Sequence, residues 1–375
     1  MLYPTFKIDK PVRFISLFSG YDSGALALKY LGVDFEHYKT CEWAIKSIQA
    51  LKDLHFGDDN TDYSQELSIE QLKDYLYKKG ISSNYNEPMT KEQINRLSEL
   101  QLRTIFNNIQ ATHNLVNIQQ VKGKDLEIKD TDKYIYILTY SFPCQDLSLG
   151  NKKRKGMSDT STRSGLLWEV ERILSELDEK PQCLLMENVV QVHGEGNKDD
   201  FNRLQLRLEE LGYKNYWKDL IATDYGIPQT RNRTFMISLL GDYNYTFPEP
   251  IPLKLKLKDM LEDNVPKKYF LSDKQIKCFL SDKSMGTQTR KERFLQNMNR
   301  ENQDVANTLT TLEGSRPTCT FITNKSLRET IEQNEITDTC FLDTYNKKVD
   351  TEKTGTITTG VSFRNNNFLA IKNND

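Results

Sequence analysis

Cys144 is the residue of this sequence whose type and position most clearly suggest chemistry. It stands in the stretch SFPCQDLSLG, directly after YIYILTY at 134–140. That β-branched and aromatic stretch is typical of a buried strand. Cys144 therefore follows the strand's carboxyl end, where ligands bind in open α/β sheets. A half-buried cysteine in a turn is the structural alternative, whereas a catalytic Cys144 would act as a thiolate nucleophile.

The cysteines and histidines do not form a metal-binding pattern. The six cysteines contain no C-x-x-C pair, and none of the four histidines stand at i,i+4 spacing. This distribution argues against both a zinc site and a disulfide framework. The sequence predicts no metal site.

Three further charged residues stand next to predicted strands. Glu187 comes after the strand CLLM, on the edge expected for Cys144, where a carboxyl group can transfer a proton or donate a hydrogen bond. An acidic turn residue is the alternative. Arg231 and Arg233, in QTRNR, stand two apart before a strand and point to the same side, which suits a carbonyl or phosphate oxygen. Exposed arginines on an edge strand are the alternative there.

The amino-terminal stretch has the layout of a nucleoside-binding site. The first strand ends in LFSG, and Glu42 closes the second strand 22 residues after Gly20, where a carboxylate can accept hydrogen bonds from ribose hydroxyls. Asp22 stands where another glycine is expected and would repel a pyrophosphate. The pattern therefore favours S-adenosyl-L-methionine over a dinucleotide. Trp43 can stack on adenine or fill the core, and Asp125 can accept from the adenine amino group or be an ordinary loop residue.

Composition excludes some classes of protein and leaves nucleic acid open. The chain has 375 residues, carries no run of eighteen apolar residues and begins without an apolar signal region, which predicts a cytoplasmic protein with no membrane partner. Its net charge is −2, but residues 254–300 carry twelve Lys and Arg against six Asp and Glu, and a basic cluster occupies 152–155. Such patches can neutralise phosphates, although many are only solvated surfaces.

The order of elements predicts an α/β fold. Strands at 13–18 and 35–41 alternate with helices after Gly20 and at 44–54, and a polar, helix-rich insertion follows at about 57–110. The alternation resumes with strands near 117–121 and at 134–140. We then expect a helix around 166–177, a strand at 183–186, a helix around 201–211, and a final antiparallel pair at 216–222 and 234–240. Three prolines beginning at Pro248 mark a boundary, after which the segments are short and irregular.

LFSG, EW, PCQDLS, ENV and QTRNR, in this order over residues 17–233, resemble the cytosine-5 DNA methyltransferases of bacterial or phage type. The resemblance implies a doubly wound, Rossmann-like S-adenosyl-L-methionine-dependent methyltransferase sheet at 1–244. A smaller, irregular β-rich target-recognition domain is expected at 245–375. Double-stranded DNA is the implied partner, and the target base must be flipped out of the duplex.

The resemblance also assigns roles to individual residues. Cys144 matches the nucleophile that adds to carbon 6 of cytosine, and Glu187 matches the group that protonates or hydrogen-bonds ring nitrogen 3. Arg231 and Arg233 match residues that hold the base carbonyl and the catalytic loop. The DNA contacts are expected at Gln145 and Ser148, and the cofactor contacts at Phe18, Gly20, Glu42, Trp43, Asp125 and Pro143. In the family, the carbonyl of the residue matching Pro143 also contacts the cytosine amino group.

Two departures from the family pattern leave alternatives open. FSGYDSG replaces the usual F-x-G-x-G-G, and the chain ends in VSFRNNNFLAIKNND without the family's R-x-L-T-x-R-E and glycine-asparagine segments. Either a second polypeptide supplies these segments, or the chain is truncated, or it functions with less. A binding subunit or inactive paralogue that needs a partner is an alternative function. RNA cytosine methylation is another, although the roughly 130-residue carboxyl-terminal region favours duplex DNA.

Overall fold

The computed structural model has two compact units. The first comprises Met1–Leu220 and Arg233–Pro248, and the second comprises Ile221–Asn232 and Glu249–Asp375. The structure describes residues 5–144, 147, 157, 164–261, 265, 270–281, 283–285, 287–297, 304–308, 321–323 and 369–371. Gln145 and Ser148, the predicted DNA contacts, lie outside the described residues.

A six-stranded sheet forms the centre of the first unit, with the strand order β2-β1-β3-β4-β6-β5. Strands β1 to β4 are parallel to one another, and β6 is antiparallel to β4. The chain moves outward from β1 to β2 and returns to the other side of β1 as β3, so the strand order reverses there, where α/β sheets bind ligands. The strands are β1 (Val12–Leu17), β2 (Phe35–Cys41), β3 (Ile135–Tyr140), β4 (Cys183–Asn188), β5 (Tyr213–Ile221) and β6 (Asn232–Leu240).

This topology confirms the predicted doubly wound α/β fold, including its antiparallel end. Side-chain hydrogen bonds join Ser238 to Asn215 and Thr234 to Asp219, so residue numbers fall along β6 as they rise along β5. The β5–β6 pair is therefore antiparallel. The buried strands read as nearly continuous apolar runs, as expected where helices cover both faces of a parallel sheet.

The helices predicted between these strands are present. In α6, residues Leu167, Val170, Ile173 and Leu174 are buried, which follows the 3.6-residue period of one helix face. The helices between the strands are α1 (Ser23–Tyr30), α2 (Ile45–His55), α6 (Leu167–Ser175) and α7 (Lys198–Glu210).

The polar insertion forms a helical module whose hydrophobic core also includes Ile48 of α2 and Val116. Its helices are α3 (Ile69–Lys79), α4 (Lys91–Asn95) and α5 (Glu99–Ala111). Each begins at a Ser or Thr whose side chain caps the helix and whose partner Gln three residues on bonds back to it. Apolar side chains of the three helices form one cluster, and Trp43 and Ile45, which follow β2 in the chain, pack against it.

The strand expected near 117–121 is absent, and that prediction is wrong. Residues 118–120 form a turn, and a 3-10 helix follows at Gly123–Leu126. The Asn117 side chain accepts a hydrogen bond from the Gln119 backbone N–H, 3.1 Å away, which stabilises a turn in place of a strand. Val116 before it has a φ of 72°, a left-handed conformation that β-branched residues rarely adopt.

In its described residues, the second unit contains two short α-helices and small β elements. Its described elements are α8 (Asp273–Phe279), β7 (Ser284–Met285), β8 (Gln288–Thr289), α9 (Arg290–Asn297), β9 (Phe321–Thr323) and β10 (Leu369–Ile371). The segment Ile221–Asn232 belongs to it through isolated bridges from Tyr225 to Ile251 and from Gln229 to Ala306. Across the described part of the chain, no helix has the length and apolar character needed to span a membrane.

Candidate active site

The carboxyl ends of β3 and β4 bring the Cys144 loop and Glu187 to one edge of the sheet. The parallel register pairs Tyr140 with Met186. One residue further along, the Ser141 hydroxyl donates a hydrogen bond of 2.7 Å to Glu187 Oε2. Cys144, half-buried, follows three residues after Ser141. This region is formed by the loop after β3, the carboxyl end of β4 and the amino end of β6. We call it the reaction edge.

Strand β6 adds an arginine to the reaction edge. The antiparallel register pairs Glu187 with Phe235 and Asn188 with Thr234. Arg233 Nε lies 3.2 Å from Glu187 Oε1, and both side chains are partly exposed. The Glu187 carboxyl group is thus held between a hydroxyl donor and a guanidinium group, and it remains accessible to a ligand.

The loop that carries Cys144 is fixed through its backbone. Buried Asn188 donates from Nδ2 to the Phe142 carbonyl at 3.0 Å, and Ser164 Oγ donates to the Pro143 carbonyl at 2.8 Å. The Leu147 N–H donates to the Cys144 carbonyl at 3.0 Å. The ENV motif predicts no role for Asn188, and the structure shows that it connects β4 to the loop that carries Cys144.

Two other thiols differ from Cys144 in their surroundings. Burial raises the pKa of the Cys183 thiol to about 12 and raises that of the Cys41 thiol well above its ordinary value. Both shifts favour the protonated thiol at neutral pH. Cys144 lies at the sheet edge where a thiolate can meet a ligand. In the described part of the chain, no cluster of three or more His, Cys, Asp or Glu is arranged to hold a metal ion.

Arg231 and Arg233 lie in different units, Arg231 in the second and Arg233 in the first. The Arg231 carbonyl accepts from the Ala222 N–H at 2.8 Å. Arg233, which contacts Glu187, is part of the reaction edge.

A cavity of about 230 Å³ opens beside the ends of β1 and β2, and we call it the cofactor cavity. Its lining includes Phe18, Glu42, Trp43 and Pro143, all predicted from the sequence to contact a cofactor. Ser141 and Pro143 on its wall belong to the loop that leads to Cys144. The other lining residues are Cys41, Tyr85, Val116, Asn117, Ile118, Gln119 and Leu166.

The lining suits a nucleoside without phosphate groups. Aromatic side chains of the lining, among them Phe18 and Trp43, can contact a base, and the amides of Asn117 and Gln119 can bond to its edge. Among the described lining residues there is one carboxylate, Glu42, and no Lys or Arg. A carboxylate without basic partners would repel a pyrophosphate and accommodates a sulfonium nucleoside, so these residues fit S-adenosyl-L-methionine.

Glu42 is fixed by the backbone of two motifs. Its Oε2 accepts from the Gly20 N–H at 2.9 Å, and its Oε1 accepts from the Ala44 N–H at 2.7 Å. Burial raises the pKa of the Glu42 carboxyl group, while these two N–H groups and that of Trp43 act in the opposite direction. Each oxygen keeps a further lone pair that can accept a hydroxyl hydrogen bond from a ligand.

Asn114 connects Glu42 to Val116, another residue that lines the cavity. Its Oδ1 accepts from the N–H groups of Glu42 and Val116, at 3.0 and 2.8 Å, and its Nδ2 donates to the Glu42 carbonyl at 3.0 Å. This buried side chain therefore holds two cavity residues that are 74 positions apart in the chain. Sequence reasoning missed it because nothing in its local pattern marks it.

The loop after β1 alternates left-handed residues, with φ values of 57° at Phe18, 56° at Gly20 and 59° at Asp22. Asp22 is buried, accepts a capping hydrogen bond from the Ala25 N–H and lies 2.8 Å from His37 Nε2. The residue that replaces the family's glycine thus begins α1 and does not line the cavity. A left-handed backbone is tolerated there because aspartate bonds locally to the helix.

The structure does not bring Asp125 to the cavity. Its carboxylate accepts from the Lys122 N–H at 2.9 Å within the 3-10 helix that follows the turn. Asn117, Ile118 and Gln119 lie on the cavity wall instead. Because a strand was predicted at 117–121, these residues were not predicted to line the cavity. The asparagine at 117 is itself a turn signal.

Comparison with known proteins gives a consistent family match. The family model described as C-5 cytosine-specific DNA methylase matches residues 80–368. The chain is 34% identical over 269 residues to the type II methyltransferase M2.ScrFI of Lactococcus lactis subsp. cremoris, covering 71% of each protein. It is 35% identical over 237 residues to the orphan methyltransferase M.SssI of Spiroplasma monobiae, covering 62% of this chain and 61% of that relative.

A solved structure shares the fold at low sequence identity. The DNMT2 of Spodoptera frugiperda, solved as a mutant form, aligns with a TM-score of 0.53 and 16% identity over 86% of this chain and 80% of that one. At this identity the likeness concerns the fold alone. It agrees with the six-stranded α/β sheet described above.

Proposed function

The chain belongs to the C-5 cytosine-specific DNA methylase family, and on this premise we propose that it transfers a methyl group from S-adenosyl-L-methionine to carbon 5 of a flipped-out cytosine in a specific duplex sequence. The observation that carries the proposal is the reaction edge, where the Cys144 loop and the Glu187 carboxyl group leave adjacent parallel strands. The proposed nucleophile and the proposed proton-transferring group would thus lie at the same edge of the sheet.

Cys144 is the proposed nucleophile. Carbon 5 of cytosine is a poor nucleophile, and addition of the Cys144 thiolate to carbon 6 makes it enamine-like. A free thiol has a pKa near 8.5, so only a few per cent is thiolate at neutral pH and the site must favour the anion or couple attack to proton transfer. Removal of the carbon 5 proton after methyl transfer then expels Cys144.

Glu187 is the proposed acid toward ring nitrogen 3. A proton or hydrogen bond at that nitrogen withdraws electron density as the thiolate adds. Ser141 and Arg233 orient the carboxyl group from two sides. Arg231 stays a prediction for holding the base carbonyl or the catalytic loop, and Gln145 and Ser148 stay predictions for contacting DNA.

The cofactor cavity is the proposed site of S-adenosyl-L-methionine, which when bound supplies an electrophilic methyl group. Glu42 would accept from the ribose hydroxyls, and Phe18 and Trp43 would contact the adenine. The N–H of Gly20 already holds Glu42, so Gly20 acts on the cofactor through that carboxylate. We propose that the amides of Asn117 and Gln119 bond to the adenine edge, the role predicted for Asp125.

Residues 245–375 are the proposed target-recognition region, supported by the excess of Lys and Arg at 254–300. A DNA-modifying enzyme of this kind would act in the cytoplasm. A second polypeptide that completes the family's carboxyl-terminal segments stays a prediction.

Bisulfite sequencing of plasmid and chromosomal DNA from cells that express the chain tests the function. We expect 5-methylcytosine at one recurring sequence, and none with Cys144→Ser. Purified chain should also transfer label from radioactive S-adenosyl-L-methionine to duplex DNA. Labelling of transfer RNA but not of duplex DNA would overturn the DNA assignment. Activity only after a second polypeptide is added would identify the chain as a subunit.

A further inference from the structure

The helical insertion reaches the cofactor cavity at one residue, Tyr85. This tyrosine stands in the loop between α3 and α4 and is one of the lining residues, together with Glu42 and Trp43. Its side chain is half-buried, and its hydroxyl accepts from Ser47 Oγ of α2 at 3.4 Å. The ring therefore forms part of the cavity wall, and its hydroxyl is hydrogen-bonded to α2.

The loop that carries Tyr85 is built around buried Ser82. The Ser82 hydroxyl donates to the Glu87 carbonyl at 2.7 Å and accepts from the Tyr85 N–H at 3.1 Å. Asn84 Oδ1 accepts from the N–H groups of Asn86 and Glu87, which closes a second turn. The loop is thus held in one conformation by hydrogen bonds from its side chains to its own backbone.

Tyr85 itself has a left-handed backbone, with a φ of 64°. This conformation is uncommon outside glycine, asparagine and aspartate and costs about 1 kcal/mol or more for a bulky residue. The Ser82 hydroxyl holds it there through the Tyr85 N–H. Such conformations occur preferentially at ligand sites, where a side chain must take one particular position.

The loop is joined directly to the cofactor strand. The Ser82 N–H donates to the Trp43 carbonyl at 2.8 Å, and the Ile45 N–H donates to the Ser82 carbonyl at 3.0 Å. Ala44 and Ser82 thereby form a parallel bridge. Because Glu42 and Trp43 directly precede this bridge, Tyr85 belongs to the β2 side of the cavity. Ser141 and Pro143, which precede Cys144 in the chain, also line the cavity.

We propose that Tyr85 binds the adenosyl part of S-adenosyl-L-methionine, so that the helical insertion completes the cofactor site. The proposal rests on the proposed function, which places this cofactor in the cavity. The contribution comes from the ring, an aromatic surface that packs against the nucleoside at low cost in side-chain entropy. The insertion would then couple its own folding to cofactor affinity, because its core also packs against Trp43.

Calorimetric titration of the full chain with S-adenosyl-L-homocysteine tests this inference. Tyr85→Asn removes the ring and keeps a residue that tolerates a left-handed backbone. We expect it to raise the Kd about tenfold, whereas Tyr85→Phe keeps the Kd within about twofold. Tyr77→Ala is the matched control, because Tyr77 lies exposed on α3 of the same insertion and does not line the cavity. Equal Kd values for Tyr85→Asn and wild type would overturn the proposal.

The part of the cofactor that Tyr85 contacts is tested with 5′-deoxy-5′-methylthioadenosine, which keeps the adenosyl part and lacks the amino acid. The fold-loss in Tyr85→Asn should be the same for this ligand as for S-adenosyl-L-homocysteine. A loss confined to S-adenosyl-L-homocysteine would place Tyr85 at the amino-acid end and contradict the assignment. Wild-type chain that binds neither ligand would instead refute the proposed cofactor.

Chemical protection gives a readout that needs no variant. Tetranitromethane nitrates exposed tyrosines, and the products can be mapped by mass spectrometry. Saturating S-adenosyl-L-homocysteine should lower nitration of Tyr85 severalfold and leave that of Tyr77 unchanged. Undiminished nitration of Tyr85 in the liganded wild-type chain would overturn the proposal, even if Tyr85→Asn failed to fold.

Discussion

The reaction edge and the cofactor cavity hold their carboxylates in different ways. At the reaction edge, Glu187 is bonded to two side chains, Ser141 and Arg233. In the cofactor cavity, Glu42 is bonded to the backbone N–H groups of Gly20 and Ala44. The side chains that hold Glu187 can rearrange when a base enters. The backbone N–H groups that hold Glu42 fix its position in the cavity wall.

This difference indicates which property each region controls. Substitutions at the reaction edge should slow the reaction and leave cofactor binding intact. Substitutions around the cofactor cavity should weaken cofactor binding or folding, because the same bonds that shape the cavity also join distant segments of the chain. The following predictions test this separation.

Cys144→Ser should have the largest effect. Loss of the covalent nucleophile should lower turnover by roughly 10⁴-fold or more, since a serine hydroxyl is far less ionised than a thiol. The Kd for S-adenosyl-L-homocysteine should stay within about twofold of wild type. Duplex DNA containing 5-fluorocytosine, in which proton removal at carbon 5 is blocked, should trap wild-type chain as a denaturation-resistant adduct and should not trap the variant.

Cys183→Ser is the control for that experiment. The Cys183 thiol, with its pKa raised by burial to about 12, should play no part, so this variant should still form the adduct. An adduct that maps to Cys41 or Cys183, or full activity in Cys144→Ser, would refute the nucleophile assignment.

Glu187→Gln should lower kcat by about 10²- to 10⁴-fold, because it removes the transferable proton and keeps the shape. The affinities for DNA and for S-adenosyl-L-homocysteine should change little. Single-turnover kinetics with a binding titration separates these quantities. A variant that loses cofactor affinity as much as rate would show that the two regions are not separable.

Asn114→Ala should act on the cavity side through folding. It removes three hydrogen bonds and leaves buried backbone groups of Glu42 and Val116 without this partner. We expect the free energy of unfolding to fall by about 2 to 3 kcal/mol in urea denaturation. Asn95→Ala, at an exposed position on α4, should change it by less than about 0.5 kcal/mol. Equal losses in the two variants would contradict the connecting role of Asn114.

Cofactor binding should depend on pH through Glu42. Its carboxyl group must be ionised to accept two hydroxyl hydrogen bonds, and burial raises its pKa above the ordinary value of 4.5. The Kd for S-adenosyl-L-homocysteine should therefore rise as pH falls, with a midpoint above pH 4.5. Glu42→Gln should bind about tenfold more weakly and lose this dependence, while Glu70→Gln, exposed on α3, should keep the wild-type profile. A flat wild-type profile would contradict the role of Glu42.

Asp125→Asn should have the smallest effect. Asparagine can replace aspartate as the acceptor for the Lys122 N–H, so stability should change by less than about 0.5 kcal/mol. The Kd for S-adenosyl-L-homocysteine should also be unchanged, whereas Asn117→Ala should raise it severalfold. The opposite result, with Asp125→Asn alone weakening binding, would restore the prediction made from the sequence.

The fold class and the order of the motifs could be predicted from the residues alone. The apolar runs at 134–140 and 183–186 are strands because their composition suits burial on both faces, and the 3.6-residue period made α6 evident. Once these strands are placed side by side, Cys144 and Glu187 must share an edge. Glu42 at the cavity followed from its spacing after Gly20, which is set by one β-α-β passage.

The polar residues that complete the two regions depend on how the elements pack together. Asn114, Tyr85 and Asn188 contact segments that are remote in the chain, and such contacts leave no local period or spacing. The turn at Asn117 was misread as a strand because a short mixed stretch has no clear period. Side-chain bonds to distant backbone groups are set by the packing of whole elements, so their partners emerge only when those elements are assembled.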